Sequence, residues 1–424
     1  MSAPAIPNLL SLRGGLGRAG GGRGRRGGGP PSASASASAT AQHDATIQGT
    51  DDDAAISRLS AVEIGYLGDP FARLFVPGPV VRRLPIINRG TYTRTTAIDL
   101  LVDRFLAQTA GTTADDAGQE PTRQIVSLGA GTDTRALRLF SELSSSSSSS
   151  TTPIPKHRNI AYHEIDFPAI CTRKLQTVRA SLQLRSILSD PVPAAPASPP
   201  TSTSTTSPST QEDGSSSPNP NPYPYSPSSS WHSRAAYPTS NNQLWCHALD
   251  LRALAHSSST PTSPSKITLP GLSPTLPTLL ISECCLCYLS PADARAVLAY
   301  FSSHISPPET PLGLVLYEPV RPDDAFGRMM VSNLAARRIR MPTLDVYRSP
   351  QDQERRLLGD FAHARQMTVD AIWDAEGWVP EEEKERVERL EGGLDELEEW
   401  KLLAGHYIVA WGWRGVGVDL DMGV

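Results

Sequence analysis

Short apolar segments recur along this chain with helix-like stretches between them, and that alternation restricts the fold more than any other feature. Gln124 to Leu128 (QIVSL), Ala161 to Phe167 (AYHEIDF), Leu244 to Leu251 (LWCHALDL), Thr278 to Leu289 (TLLISECCLCYL) and Leu312 to Glu318 (LGLVLYE) read as strands. They are apolar on both faces, so both faces need cover. Helical spacing lies before and between them. In Ala97 to Leu106, Ile98, Leu101, Val102 and Phe105 share one face, and Thr134 to Phe140, Ile170 to Ala180 and Pro291 to Phe301 also read as helices. Strand and helix in turn predict an α/β fold with a parallel sheet covered on both sides. The end departs from the pattern. An acidic helix, Glu381 to Lys401, leads directly into His406 to Trp413 (HYIVAWGW), which reads as an edge or antiparallel strand.

Three stretches interrupt the alternation. Residues 1–52 hold Arg13, Arg18, Arg23, Arg25 and Arg26 among glycines, with no acid before Asp44. An RGG-like RNA-binding segment and an organelle presequence are both Arg-rich and acid-poor. Gly14 to Gly29 is too glycine-rich for the helix a presequence needs, and a disordered tail is the simpler expectation. A serine run spans 144–152, and 28 of the 40 residues in 191–230 are Ser, Thr or Pro. Such segments bury too little apolar surface to offset their ordering entropy, so both read as insertions into one domain, 53–424. Helical stretches surplus to the sheet, 58–119 and 321–380, are expected to cap it.

Composition excludes several classes. No apolar run approaches the roughly 20 residues of a membrane helix. The five cysteines are an odd number, and Cys284, Cys285 and Cys287 crowd one expected strand, which makes neither a disulfide framework nor a zinc site. A reducing, cytoplasmic location and a monomer are the expectations. The net charge of −5 argues against nucleic acid as the main partner.

The first strand ends in a glycine turn, Gly129-Ala130-Gly131-Thr132-Asp133-Thr134. Ligands of open α/β sheets bind at the carboxyl ends of the strands, and Gly129 and Gly131 permit a sharp turn and close approach. A dinucleotide fingerprint wants a small third residue where Thr134 stands. The neighbouring acid, Asp133, suits a ligand carrying an ammonium or sulfonium, or serves as a helix N-cap. The turn thus favours S-adenosylmethionine over NAD. Asp166 ends the second strand, where it would accept bonds from ribose hydroxyls or cap the next helix. Asp250 ends the third, and Glu283 lies in the apolar fourth, where an acid needs a partner.

Several blocks in this order resemble the leucine carboxyl methyltransferases: IINRGTYTRT (Ile86 to Thr95), IVSLGAGTDTRALRL (Ile125 to Leu139), YHEIDFPAICTRKL (Tyr162 to Leu175), ALDLR (Ala248 to Arg252), PTLLISECCLCYL (Pro277 to Leu289), LYEPV and HYIVAWGW. The resemblance runs from about Ile56 to Trp413, skipping the low-complexity insertions. It implies a class I S-adenosylmethionine-dependent methyltransferase fold: Rossmann-like, with a mostly parallel seven-stranded sheet, an antiparallel C-terminal strand and a helical substrate cap. It also implies methylation of the C-terminal leucine carboxylate of the type 2A protein phosphatase catalytic subunit. By the same resemblance the cofactor site comprises Gly129, Gly131 and Asp133 of the loop, Asp166, Asp250 with Leu251, Glu283, and the basic Arg58 and Arg94. Arg94, Arg89 and Tyr288 are the candidates for holding the substrate carboxylate. A related enzyme acting on a modified tRNA base or a small-molecule acid is the alternative. No general base is expected, because a peptide carboxylate is already ionised at neutral pH.

Overall fold

The computed structural model describes residues 33–109, 122–141, 157–194, 223, 227–236, 240–258, 267–395 and 397–423. The expected serine-run insertion, and most of the Ser/Thr/Pro tract, lie outside these residues. So do residues 1–32 of the expected tail and 110–119 of the first expected cap segment.

Among the described residues nine strands form one sheet: β1 (Arg123–Leu128), β2 (Ile160–Asp166), β3 (Val192–Pro193), β4 (Trp231–Arg234), β5 (Gln243–Ala248), β6 (Thr278–Glu283), β7 (Leu312–Pro319), β8 (His363–Thr368) and β9 (Tyr407–Arg414). Their spatial order is β3-β4-β5-β2-β1-β6-β7-β9-β8. The run β5-β2-β1-β6-β7 is parallel, and β9 pairs antiparallel with both β7 and β8. Those seven strands give the class I methyltransferase order. Chain order reverses between β2-β1 and β1-β6, which opens a crevice above the carboxyl ends of β1, β2, β5 and β6.

Twelve helices accompany the sheet: α1 (Ala33–Ile64), α2 (Pro85–Gln108), α3 (Arg135–Ser141), α4 (Pro168–Ala180), α5 (Leu182–Arg185), α6 (Leu251–Ser258), α7 (Pro291–His304), α8 (Ala325–Ala336), α9 (Pro350–Leu357), α10 (Val369–Asp374), α11 (Glu381–Glu388) and α12 (Leu397–Ala404), counted among the described residues. One apolar layer, including Phe105, Phe140, Tyr162 and Trp411, covers one sheet face. Another, including Leu254, Leu298 and Phe301, covers the other. A third cluster joins α2, α8, α10 and α12 through Tyr92, Met330, Trp373 and Trp400, and forms the cap.

Five expectations need correction. Among the described residues two further strands extend the expected seven-stranded sheet: β3 lies at the start of the Ser/Thr/Pro tract and β4 directly follows the tract, and Trp231 anchors β4 by burying its ring and donating Nε1–H to the Cys171 carbonyl at 3.2 Å. β8 falls inside the second expected cap segment; its sequence HARQMT is too polar to announce a strand. The strand expected over Thr278 to Leu289 ends at Glu283, because Cys284 adopts a left-handed φ of 47° and a single 3-10 turn, Leu286–Tyr288, follows. The long acidic helix is broken at Gly392 and Gly393, both at positive φ. Finally, α1 begins at Ala33, so the last third of the expected tail is helix.

A buried histidine pair links β2 and β5. His163 Nδ1 and His247 Nε2 stand 3.0 Å apart, both side chains fully buried. Burial holds both rings neutral, lowering His247 to about 3 and His163 well below its usual value, the latter further opposed by its partner. The unfolded chain protonates these rings below about pH 6.5 while the fold cannot, so stability drops as pH falls from 6.5 toward 3, by about 1.4 kcal/mol per unit for each ring. Denaturant melts at pH 7 and pH 5 should show the loss, and His163→Gln/His247→Gln should show a shallower one.

Candidate active site

The crevice holds a cavity of about 1020 Å³ that reaches from the glycine turn to the cap. Its floor begins at Gly129 and Gly131, with φ of 65° and 54°. A Cβ on Gly129 would collide with Cys285 Sγ, and one on Gly131 with the Asp51 carboxylate, so both positions require glycine.

Asp166, at the end of β2, faces this turn. Its Oδ2 accepts the Gly131 N–H at 2.7 Å and its Oδ1 the Phe167 N–H at 2.7 Å. Burial raises its pKa to about 7, although these two bonds pull the other way. A half-buried carboxylate with lone pairs still available matches a vicinal diol. Farther along, Asp250 and Leu251 open α6. Asp250 is held by Arg252, which reaches it at 2.5 Å, bonds Asp44 of α1 at 2.8 Å and lies 4.2 Å from the Tyr223 ring centre. Leu251 lends an apolar wall. Glu283, at the end of β6, places Oε2 3.4 Å from Arg94 Nε and Oε1 2.8 Å from Arg135 Nη1.

The other predicted residues divide. Arg94, Arg58 and Tyr288 line the cavity; Arg58 is tied at 2.5 Å to Asp69, and Arg94 lies 5.2 Å from the Tyr317 ring centre. Asp133 also lines it, but its carboxylate bonds the Arg135 guanidinium at 2.7 Å and the Arg135 N–H at 3.1 Å. Burial opposes its charge, yet Arg135 and other cations outweigh that and hold it at about 2. It organises the turn and is already neutralised by protein. Arg89 does not belong to the lining. It is wedged between Trp373 (3.9 Å) and Trp400 (4.5 Å) in the cap core, which corrects its assignment as a substrate-holding residue.

The two arginines should therefore separate experimentally. Arg89→Ala should lower stability by about 1–3 kcal/mol through lost packing and ring contacts while changing donor affinity less than about threefold. Arg94→Ala should lower affinity for an anionic ligand group by about tenfold or more, with little change in melting temperature. Thermal melts beside ligand titrations of both variants check this.

Sequence reasoning missed the roof. The cavity is covered by α1, from His43 to Arg58, and three acids there tie down different walls. Asp44 bonds Arg252; Asp51 accepts the Thr132 N–H at 2.7 Å and pairs with Arg173 at 2.5 Å; Asp53 pairs with Arg337 at 2.5 Å. The run Asp51-Asp52-Asp53 at the border of a basic tail was the available signal. Opposite the glycine turn the cavity turns apolar, against Ile86, Ile87, Val369, Trp400, Leu403 and Tyr407.

Comparisons with known proteins agree with this geometry. A family model described as leucine carboxyl methyltransferase matches residues 33–302. The protein named leucine carboxyl methyltransferase 1 of Aspergillus fumigatus is 46% identical over 99% of this chain and 96% of its own length. That of Emericella nidulans is 46% identical over 98% and 95%, and that of Schizosaccharomyces pombe 33% over 84% and 91%. Together with the family match at residues 33–302, these relatives establish that this chain belongs to the leucine carboxyl methyltransferase family.

Proposed function

We propose that the protein transfers the methyl group of S-adenosylmethionine to the α-carboxylate of a C-terminal leucine, with the type 2A protein phosphatase catalytic subunit as its substrate. The observation that carries this reading is one cavity with two chemically distinct ends. The end at Gly129, Gly131, Asp166 and Asp250 has the backbone approach and acidic acceptors a nucleoside needs. The cap end is apolar and of a kind that accepts a leucine side chain, and Arg94 and Arg58 also line the cavity.

When bound, S-adenosylmethionine supplies a sulfonium methyl that a carboxylate oxygen takes by in-line displacement. Asp166 would hold the ribose hydroxyls, Asp250 and Leu251 the base, and Glu283 the ammonium. Arg94 would orient a carboxylate through its planar fork, and Tyr288 lines the space beside it. His406 is not needed as a base. Its Nε2 is 2.9 Å from Asp324 and its Nδ1 2.7 Å from the Leu402 carbonyl, within the cap. Catalysis then comes from orientation and from the water excluded by α1, and positioning alone contributes up to about 7–11 kcal/mol.

A peptide ending in leucine, offered with methyl-labelled donor, should acquire a base-labile label. The same peptide with an amidated terminus should acquire none, and one ending in aspartate far less. Equal labelling of the free-acid and amidated peptides would overturn the proposal.

A further inference from the structure

Arg135 is the most heavily engaged buried cation near the cavity, although it does not line it. Only 1% exposed, it bonds Asp99 of α2 at 2.8 Å, Asp133 of the glycine turn at 2.7 Å and Glu283 of β6 at 2.8 Å. One rigid guanidinium thus fixes three elements against one another. Asp99 is itself anchored by Arg138 at 2.6 Å, which leaves Arg135 little room to shift. Glu283 is the member of this set that also reaches Arg94, with its other oxygen 3.4 Å from Nε.

We propose that Arg135 is a positioning residue that presents Glu283 to the ammonium group of the methyl donor and keeps Arg94 available for a carboxylate. The inference rests on the reading of the pocket as an S-adenosylmethionine site. With Arg135 present, Glu283 shares its charge between two cations, and the Arg94 contact stays long. Without it, Arg94 is the remaining cation beside Glu283. The pair then closes, and both groups turn away from the amino-acid end of the donor. Asp133 loses its guanidinium partner at the same time, but the turn keeps the Gly131 N–H bond to Asp166 and the Lys174 bond to the Asp133 carbonyl. The nucleoside end, held by Asp166 and Asp250, has no contact with Arg135 and should be indifferent.

That difference supplies the test. S-adenosylhomocysteine carries the ammonium and carboxylate, whereas 5′-methylthioadenosine has only the nucleoside and thioether. Calorimetric titration of Arg135→Gln should show S-adenosylhomocysteine weakened by about tenfold or more and methylthioadenosine by less than about twofold, as expected when one charge-assisted contact is lost and the rest are kept. Arg135→Lys should recover part of the loss. Asp99→Asn, which slackens Arg135 without touching the cavity, should reproduce it in weaker form and serves if the Arg135 variants fail to fold. Equal weakening of both ligands would make Arg135 merely structural, and unchanged affinity for both would remove it from the site; either overturns the proposal. If the unaltered protein bound neither ligand, the donor reading itself would fall.

Discussion

Asp166→Asn should weaken binding of S-adenosylmethionine by about two orders of magnitude, from the loss of charge-assisted bonds worth roughly 1.5–3 kcal/mol each. In the native protein two backbone N–H groups, of Gly131 and Phe167, already bond the two carboxylate oxygens. Asparagine has one acceptor oxygen. Its NH2 must face one of those backbone donors, so the turn distorts and one ribose hydroxyl loses its acceptor. The pH dependence goes with it. Because burial lifts Asp166 to about 7, the free protein takes up a proton as pH falls through neutrality. Binding to the ionised form should then weaken by up to about tenfold per unit below pH 7. The Asn variant should show a flat profile. Titrations at pH 8 and pH 6 decide the matter, and an Asn variant binding within threefold of the native protein would remove the ribose from this position.

Lys174→Met should destabilise the fold by about 3–5 kcal/mol, the usual penalty for breaking a buried ion pair. Lys174 of α4 lies 2.7 Å from Glu164 of β2, and each side chain is only 2% exposed. Burial already pushes the Glu164 carboxyl up, and the lysine is what opposes that. Removing both charges is a different perturbation. Lys174→Met/Glu164→Leu leaves no orphan charge and should regain most of the lost stability. Donor affinity should not recover equally, because Lys174 also donates to the Asp133 carbonyl at 2.7 Å and braces the glycine turn from below. A double variant restored in stability but several-fold weaker in binding would establish both roles. Full recovery of binding would show that the turn stands without Lys174.

The acidic and glycine positions of the site were legible because each is defined relative to an apolar strand. Gly129, Asp166, Asp250 and Glu283 follow or end β1, β2, β5 and β6, and strand ends of a parallel sheet are where such folds bind ligands. The roof was hidden for the opposite reason. Residues 42–57 of α1 are mostly polar or small around the whole helix, so no apolar stripe marks it, and its role depends on salt bridges to residues as distant as Arg337. Arg89 and Arg94 stand five positions apart on α2, one stacked on indoles and the other in the cavity, and a motif containing both does not say which faces inward. Arg135 escaped notice because its three carboxylate partners come from separate segments. β3 and β4 are short strands, one inside a tract read as featureless and the other directly after it.

The measurement closest to the central claim is labelled methyl transfer from S-adenosylmethionine to the type 2A phosphatase catalytic subunit, intact and with its terminal leucine removed. The account predicts a base-labile ester on the intact subunit, none on the trimmed one, and strongly reduced transfer by Asp166→Asn and Arg94→Ala. Label on the trimmed subunit, or no label on the intact one despite tight donor binding, would contradict it.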